Sequence, residues 1–183
     1  LKNKNELIIF DIGSNVGMYS LLFANTFNKY NKIYSFEPIY DCFNKMKSEF
    51  SNNDDINIYN FAVGNKVEKK SFNVYEDSAQ SSFFEKNKNS YWFKKHNQTH
   101  IRDRNQFKLD EKKIDVEVIT LDNFCKKYEI GNIDFLKIDT QGYEEFVLEG
   151  SQNLLKENKI KIIKLEMIFS DLYSKKHSFF DIE

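Results

Sequence analysis

Seven residues, 11–17 ("DIGSNVG"), hold an acid, two of the chain's 6 glycines and two side chains suited to capping a helix. They follow the short apolar run 7–10. Gly13 can take φ > 0 and close a tight strand-to-helix turn, and Gly17 leaves room beside the helix backbone for a ligand or a strand. Ser14 and Asn15 are natural N-caps. Glu37 stands 20 positions after Gly17, at the end of a second apolar run and directly before Pro38, the chain's only proline. A carboxylate at that place accepts the hydroxyls of a ribose laid across the first turn. Asp11, Gly13, Asn15, Gly17 and Glu37 therefore mark a site for a nucleoside cofactor. A dinucleotide asks for G-x-G-x-x-G, whose bare amides meet a pyrophosphate. Here Asp11 holds the place of the first glycine, where its charge repels a pyrophosphate and attracts the amino and sulfonium cations of S-adenosylmethionine. The residues favour the methyl donor, with an NAD-dependent oxidoreductase of Rossmann type as the alternative.

A second group of residues offers proton chemistry. Asp139 closes the apolar run 133–138, Gly142 permits the turn after it, and Glu144 and Glu145 open a helix, where carboxylates also balance the helix dipole. Methyl transfer from sulfonium to oxygen needs an in-line approach of about 3–3.5 Å. It also needs a destination for the hydroxyl proton. Asp139 is the first candidate for base or orienter, Glu166 the second and His177 the third. Nucleic-acid amino-group methyltransferases place an [DNS]-P-P-[YF] loop here to grip a planar nitrogen; "DTQG" at 139–142 has no proline and favours oxygen as the acceptor. His96 and His100 share a helical face with Asp103 beyond, but no third ligand is fixed and no metal is expected. "NQT" at 97–99 is a glycosylation triplet by composition, which a cytosolic protein does not use.

These residues need strands and helices in alternation to position them. Residues 7–10, 32–36, 56–61, 133–138 and 160–167 are apolar runs of strand length. Val16, Tyr19, Phe23, Phe27 and Tyr30 follow a helical spacing, as do Ile39, Phe43, Met46 and Phe50, and a helix is predicted over about 143–155. Alternating units with near-continuous apolar strands imply a parallel, doubly wound sheet covered on both faces, its ligand loops on one side. Residues 66–113 break the rhythm; they are polar, hold aromatics, lack Gly and Pro, and read as an insertion of short strands and loop. A short strand at 115–119 and a helix at 121–128 follow. After residue 167 the rhythm calls for another helix and strand, so the chain reads as one domain over 1–183, truncated at its C-terminus.

The 183 residues suit one domain, and 40% hydrophobic with 16% aromatic content supplies its core. A formal net charge of -1 gives no footprint for nucleic acid or an anionic membrane. Cys42 and Cys125 form no metal or redox motif and read as buried thiols in a reducing compartment. No apolar run reaches the roughly 18–20 residues of a membrane span, and no signal peptide is visible. A cytoplasmic protein with a small-molecule or glycan substrate is expected.

"FDIGSNVGMYS" at 10–20, "SFEP" at 35–38, "NFAVGN" at 60–65, "LKIDTQGYEEFVLEG" at 136–150 and the shorter "TLDNF" at 120–124 resemble the FkbM family of S-adenosylmethionine-dependent methyltransferases, in the family's order. The resemblance implies a Rossmann-like methyltransferase fold lacking its last strands here, and methyl transfer to a hydroxyl of a sugar, glycan or natural product. It implies that Asp11, Gly13, Asn15 and Gly17 surround the methionine end of the cofactor, that Glu37 holds the ribose, and that Ala62 and Val63 line the adenine pocket. Ser81 and Ser82 are candidates for the cofactor or acceptor edge. Residues 66–113 match poorly, so the substrate does not carry over. A third reading is a non-catalytic cofactor-binding remnant that serves as an interaction module.

Overall fold

The computed structural model describes residues 6–26, 31–91, 108–168 and 170–174. In chain order its strands are β1 (Leu7–Ile12), β2 (Asn31–Phe36), β3 (Ile56–Tyr59), β4 (Ala62–Val63), β5 (Glu68–Val74), β6 (Lys112–Ile119), β7 (Phe135–Ile138) and β8 (Ile163–Leu165). The helices are α1 (Met18–Thr26), α2 (Tyr40–Glu49), α3 (Leu121–Lys127), α4 (Glu144–Glu149) and α5 (Gln152–Lys156), with a 3₁₀ turn at Ser78–Gln80. Five strands make a wholly parallel sheet in the order β3-β2-β1-β7-β8. A second sheet, β4-β6-β5, pairs β4 with β6 in parallel and β5 with β6 antiparallel.

The two-residue period of β1 explains the layering. Leu7 and Ile9 join Ile33, Ile56 and the α1 residue Phe23 in one cluster. Phe10 and Ile12 point the other way, into a cluster with Phe36, Phe124 of α3, Val147 of α4 and Leu154 of α5. Helices thus cover both faces, and each buried Phe contributes about 1.5–3 kcal/mol to holding them there. Phe10, Phe36 and Tyr59 meet the Phe124 ring edge-on, at 5.8, 4.8 and 4.9 Å between centroids, a favoured arrangement. The chain runs from β1 outward through β2 to β3, then returns to the other side of β1 with β7 and β8. The reversal between β1 and β7 is a topological switch point, where a crevice opens beyond the carboxyl ends of the strands.

Several elements differ from expectation. Strand β1 continues to Ile12 rather than ending at residue 10, which moves Asp11 out of the turn and into the sheet, level with Ser35 of β2 and Lys137 of β7. The run 56–61 is shortened: β3 stops at Tyr59, and a separate strand just beyond the run, Ala62–Val63, joins the second sheet. Strand β6 is eight residues long because it pairs with the seven-residue β5 of the 66–113 segment. The helix predicted over 143–155 is interrupted at Gly150 and Ser151, where the Gly64 carbonyl lies so close that a Cβ on Gly150 would sit 2.0 Å from its oxygen. Strand β8 keeps only Ile163–Leu165 of the run 160–167. In α1 the buried residues are Ser20 and Phe23, while Met18 and Leu22 face outward; Phe27 and Tyr30 lie outside the described residues.

Candidate active site

The turn after β1 is held by backbone geometry. Gly13, Asn15 and Gly17 have φ of 72°, 50° and 82°. A Cβ on Gly13 would stand 2.0 Å from the Asp139 carbonyl oxygen, so the turn can pass the end of β7 only without a side chain. A Cβ on Gly17 would stand 2.3 Å from the Phe50 ring, so this glycine makes room for the α2 side of the protein. The Gly13 and Ser14 amides donate to the Phe36 carbonyl at 3.0 and 3.1 Å, tying the turn to the end of β2. There Glu37 Oε2 accepts from the Asn15 amide and Oε1 from the Ile39 amide, both at 2.8 Å. Burial pushes the Glu37 carboxyl up to about 8, against the pull of those two amides and of Lys137.

A cavity of about 210 Å³ opens at the switch point. Gly13, Asn15, Glu37, Ala62, Val63 and Asp139 are all on its wall, with Phe36, Phe61 and Phe72 forming an apolar side. The 66–113 segment supplies the cover: Ser78, Ala79, Ser81 and Phe83 also line the space. Ser78 Oγ donates to Asn15 Oδ1 at 2.7 Å, which joins cover to turn. Ser81 Oγ accepts from the Tyr75 amide, and Ser82 Oγ donates to the Gln141 carbonyl at 2.8 Å. The geometry offers a carboxylate beside an apolar slot, suited to a polyhydroxylated ring joined to a flat heterocycle.

Asp11 and Gly17 stand elsewhere. Asp11 is fully buried behind the wall; its Oδ2 accepts from Ser20 Oγ at 2.7 Å and its Oδ1 lies 3.0 Å from the Lys137 ammonium. Neither Asp11 nor Gly17 is among the lining residues. The cross-strand register of β1 and β7 makes the Asp11–Lys137 pair, because side chains at one level of adjacent strands share a face. Lys137 is only 3% exposed, yet it reaches the wall, donates to the Gly13 carbonyl at 3.2 Å and lies 3.5 Å from Asp139 Oδ2. Burial lowers the basicity of its ammonium, but Asp11 and Asp139 outweigh this and hold its pKa above the ordinary value. Lys137 was not anticipated; its signal is a lone lysine inside the apolar run "FLKI".

Asp139 and Glu166 share Gln141. The Gln141 amide nitrogen donates to Asp139 Oδ1 at 2.9 Å and to Glu166 Oε2 at 2.8 Å. Burial works to raise the Asp139 carboxyl, but its hydrogen bond with Glu166 and the Lys137 charge hold it below the usual range. Glu166 is pushed up to about 7, chiefly by the same hydrogen bond, then by burial and the Asp139 charge. Glu166 itself lies off the cavity wall. Glu144 is buried and braces the turn: its Oε1 accepts from the Thr140 amide and hydroxyl and from the Gly142 amide. His177, His96, His100, Asp103 and the triplet at 97–99 lie outside the described residues. Among the described residues no three His, Cys, Asp or Glu side chains converge as a metal site, and no helix is long and apolar enough to cross a membrane.

Residues 11–183 match the family model of the methyltransferase FkbM domain. The chain belongs to the FkbM methyltransferase domain family. The fold of this FkbM domain is similar to the crystal structure of methyltransferase FkbM from Methylobacillus flagellatus KT, with a TM-score of 0.53 and 15% identity. That similarity covers 87% of this chain and 32% of the other, so the FkbM domain described here spans about a third of its neighbour's length. The chain has no significant match among curated proteins. In the FkbM domain, the α/β architecture with a mostly parallel sheet brings the turn, Glu37 and Asp139 to one cavity.

Proposed function

We infer that this FkbM domain binds S-adenosylmethionine and transfers its methyl group to a hydroxyl of a sugar, glycan or natural product. One observation carries the reading: Glu37, at the carboxyl end of β2, is on the wall of the switch-point cavity next to an apolar slot. After accepting from the Asn15 and Ile39 amides, each carboxylate oxygen keeps a free acceptor site for a ribose hydroxyl. Ala62, Val63 and Phe36 form a dry surface for adenine, and the 13–17 turn faces the methionine end. Gly17 and Asp11 act from behind that turn, Gly17 by admitting Phe50 and Asp11 by anchoring Lys137.

When bound, the cofactor supplies an electrophilic methyl group on a sulfonium. The chain's part is to orient the acceptor and remove its proton. Asp139, on the wall, is the group in reach; Glu166 stands one hydrogen-bonded residue behind it, and His177 is the third candidate. The 66–113 segment, whose Ser78, Ala79, Ser81 and Phe83 line the cavity, supplies acceptor contacts as an insertion within a single domain. The near-neutral charge supports a small-molecule or glycan partner rather than nucleic acid, and the free, buried Cys42 and Cys125 fit a cytoplasmic setting.

Calorimetric titration with S-adenosylhomocysteine, the demethylated product, tests the reading. Above pH 8, where Glu37 is ionised, the wild-type chain is expected to bind it, and Glu37→Ala to lose about a hundredfold or more in affinity with two charge-assisted hydrogen bonds. Preferential binding of NADH, or equal affinity in Glu37→Ala, would overturn it.

A further inference from the structure

Gln141 commits its side-chain amide and its backbone carbonyl to its own turn and to three other segments. Its side-chain nitrogen has two hydrogens, and both are used, one on Asp139 after β7 and one on Glu166 after β8. Its side-chain oxygen lies 3.0 Å from the Tyr173 hydroxyl, which also lies 2.8 Å from the Gln80 carbonyl. Its backbone carbonyl accepts from Ser82 Oγ in the cover. The residue holds this pose at a φ of 54°, a left-handed conformation that side chains other than glycine and asparagine seldom adopt.

We propose that Gln141 is a positioning residue that holds Asp139 and Glu166 together as the carboxyl pair that, once the proton shared between them has left, receives the acceptor's proton. This rests on the methyl-transfer reading. In that step the acceptor's O–H bond breaks, and its oxygen takes the methyl group as the methyl–sulfur bond breaks with its electron pair left on sulfur. Asp139 takes the proton, and the charge of the pair falls from two negatives to one. Two carboxylates side by side resist full ionisation. Donors aimed at both offset that resistance: the Gln141 amide serves both carboxylates, and Lys137 serves Asp139 at 3.5 Å. The other charges around the pair do not replace Gln141. Asp11 of β1 occupies Lys137 from the far side, and Glu144 at the start of α4 raises the burden on Glu166. Lys164 of β8 is engaged with the Tyr19 hydroxyl at 2.9 Å, and Tyr173 stays neutral under the influence of burial and the neighbouring acids.

Carbon-detected NMR titration of the side-chain carboxyls in the ¹³C-labelled full chain reads this directly. Asp139→Asn assigns the pair by lowering Glu166 toward the ordinary carboxylate range. Gln141→Asn keeps an amide and tolerates the left-handed backbone, but is one methylene too short to bridge. Its upper midpoint is expected to rise by about one pH unit, a tenfold change in the ionisation constant. Tyr173→Phe leaves Gln141 in place but releases its amide, and is expected to move the same midpoint up by less. Midpoints that stay put in both variants, or move down, would overturn the proposal, since a residue that only shapes the turn leaves the titration alone. A wild-type chain that binds S-adenosylhomocysteine with unmoved midpoints refutes the role of Gln141 alone. A wild-type chain that binds none refutes the methyl-transfer reading however the carboxyls titrate.

Discussion

Replacing Glu37 with glutamine is predicted to reverse its effect on stability with pH. The buried carboxyl is raised from 4.5 to about 8. A raised acid keeps its proton in the folded chain after the unfolded chain has lost its own. Its contribution is therefore fully present below about pH 4.5, declines as pH rises to about 8, and is lost above that. The decline amounts to roughly 4–5 kcal/mol, from the size of the shift. Glutamine never ionises and escapes this loss. It also has only one oxygen for two amide donors, Asn15 and Ile39, and turns its own NH₂ toward the other. That mismatch costs about 1–3 kcal/mol at every pH. The variant should be less stable than wild type by about 1 kcal/mol at pH 5 and more stable by about 2–3 kcal/mol at pH 9, crossing near pH 6. Urea unfolding followed by circular dichroism across this range gives both curves. Ribose hydroxyls donate to the ionised form, so wild-type affinity for S-adenosylhomocysteine should also fall up to about tenfold per pH unit below pH 8. A stability difference that is the same at pH 5 and pH 9 would refute the reasoning, because Glu37 would then ionise like an exposed acid.

Two further substitutions follow from the same geometry. Gly13→Ala meets both a left-handed backbone and the Asp139 carbonyl, and should cost roughly 2–5 kcal/mol in urea unfolding; Gly131→Ala, with nothing within 4 Å, should stay within about 0.5 kcal/mol. Lys137→Met leaves Asp11 buried without its counter-charge and should cost roughly 3–5 kcal/mol, most of it restored in Asp11→Asn/Lys137→Met, as a double-mutant cycle measures.

What the sequence reveals depends on how local each signal is. The β1 turn and Glu37 are legible because one βαβ unit fixes their relation: a strand, a helix and a strand set the spacing, and both ends reach the same edge of the sheet. Asp11 is harder, since its role turns on where β1 ends. A strand ending at residue 10 leaves Asp11 facing a ligand, while two more residues of ladder put it between Ser35 and Lys137. Nothing near Asp11 in the chain announces a partner 126 positions away. Lys137 is hidden for the same reason, because an ammonium in an apolar strand makes sense only once the register with Asp11 is known. Gln141 draws on Asp139, Glu166, Tyr173 and Ser82, and no periodic pattern encodes a meeting of four segments. The 66–113 segment shows its break in rhythm, but the seven-residue pairing of β5 with β6 is long-range and leaves no mark in local composition.

The burial of Asp11 also changes the electrostatic argument for the cofactor. A single acid in place of a glycine is a weak reason to exclude a pyrophosphate once Lys137 lies 3.0 Å away and cancels its charge. The sum over the site is a stronger reason. Asp11 and Asp139 flank one buried ammonium, Glu37 is on the same cavity wall as Asp139, and Glu166 lies behind Asp139 through Gln141. With Glu37 and Glu166 protonated the balance is one negative charge, and with both ionised it is three. Either balance opposes a dianionic pyrophosphate and favours a ligand carrying a sulfonium. On the proposed function, the preference for a methyl donor is a property of the assembled cavity and is expected to grow as pH rises and the two shifted carboxyls ionise.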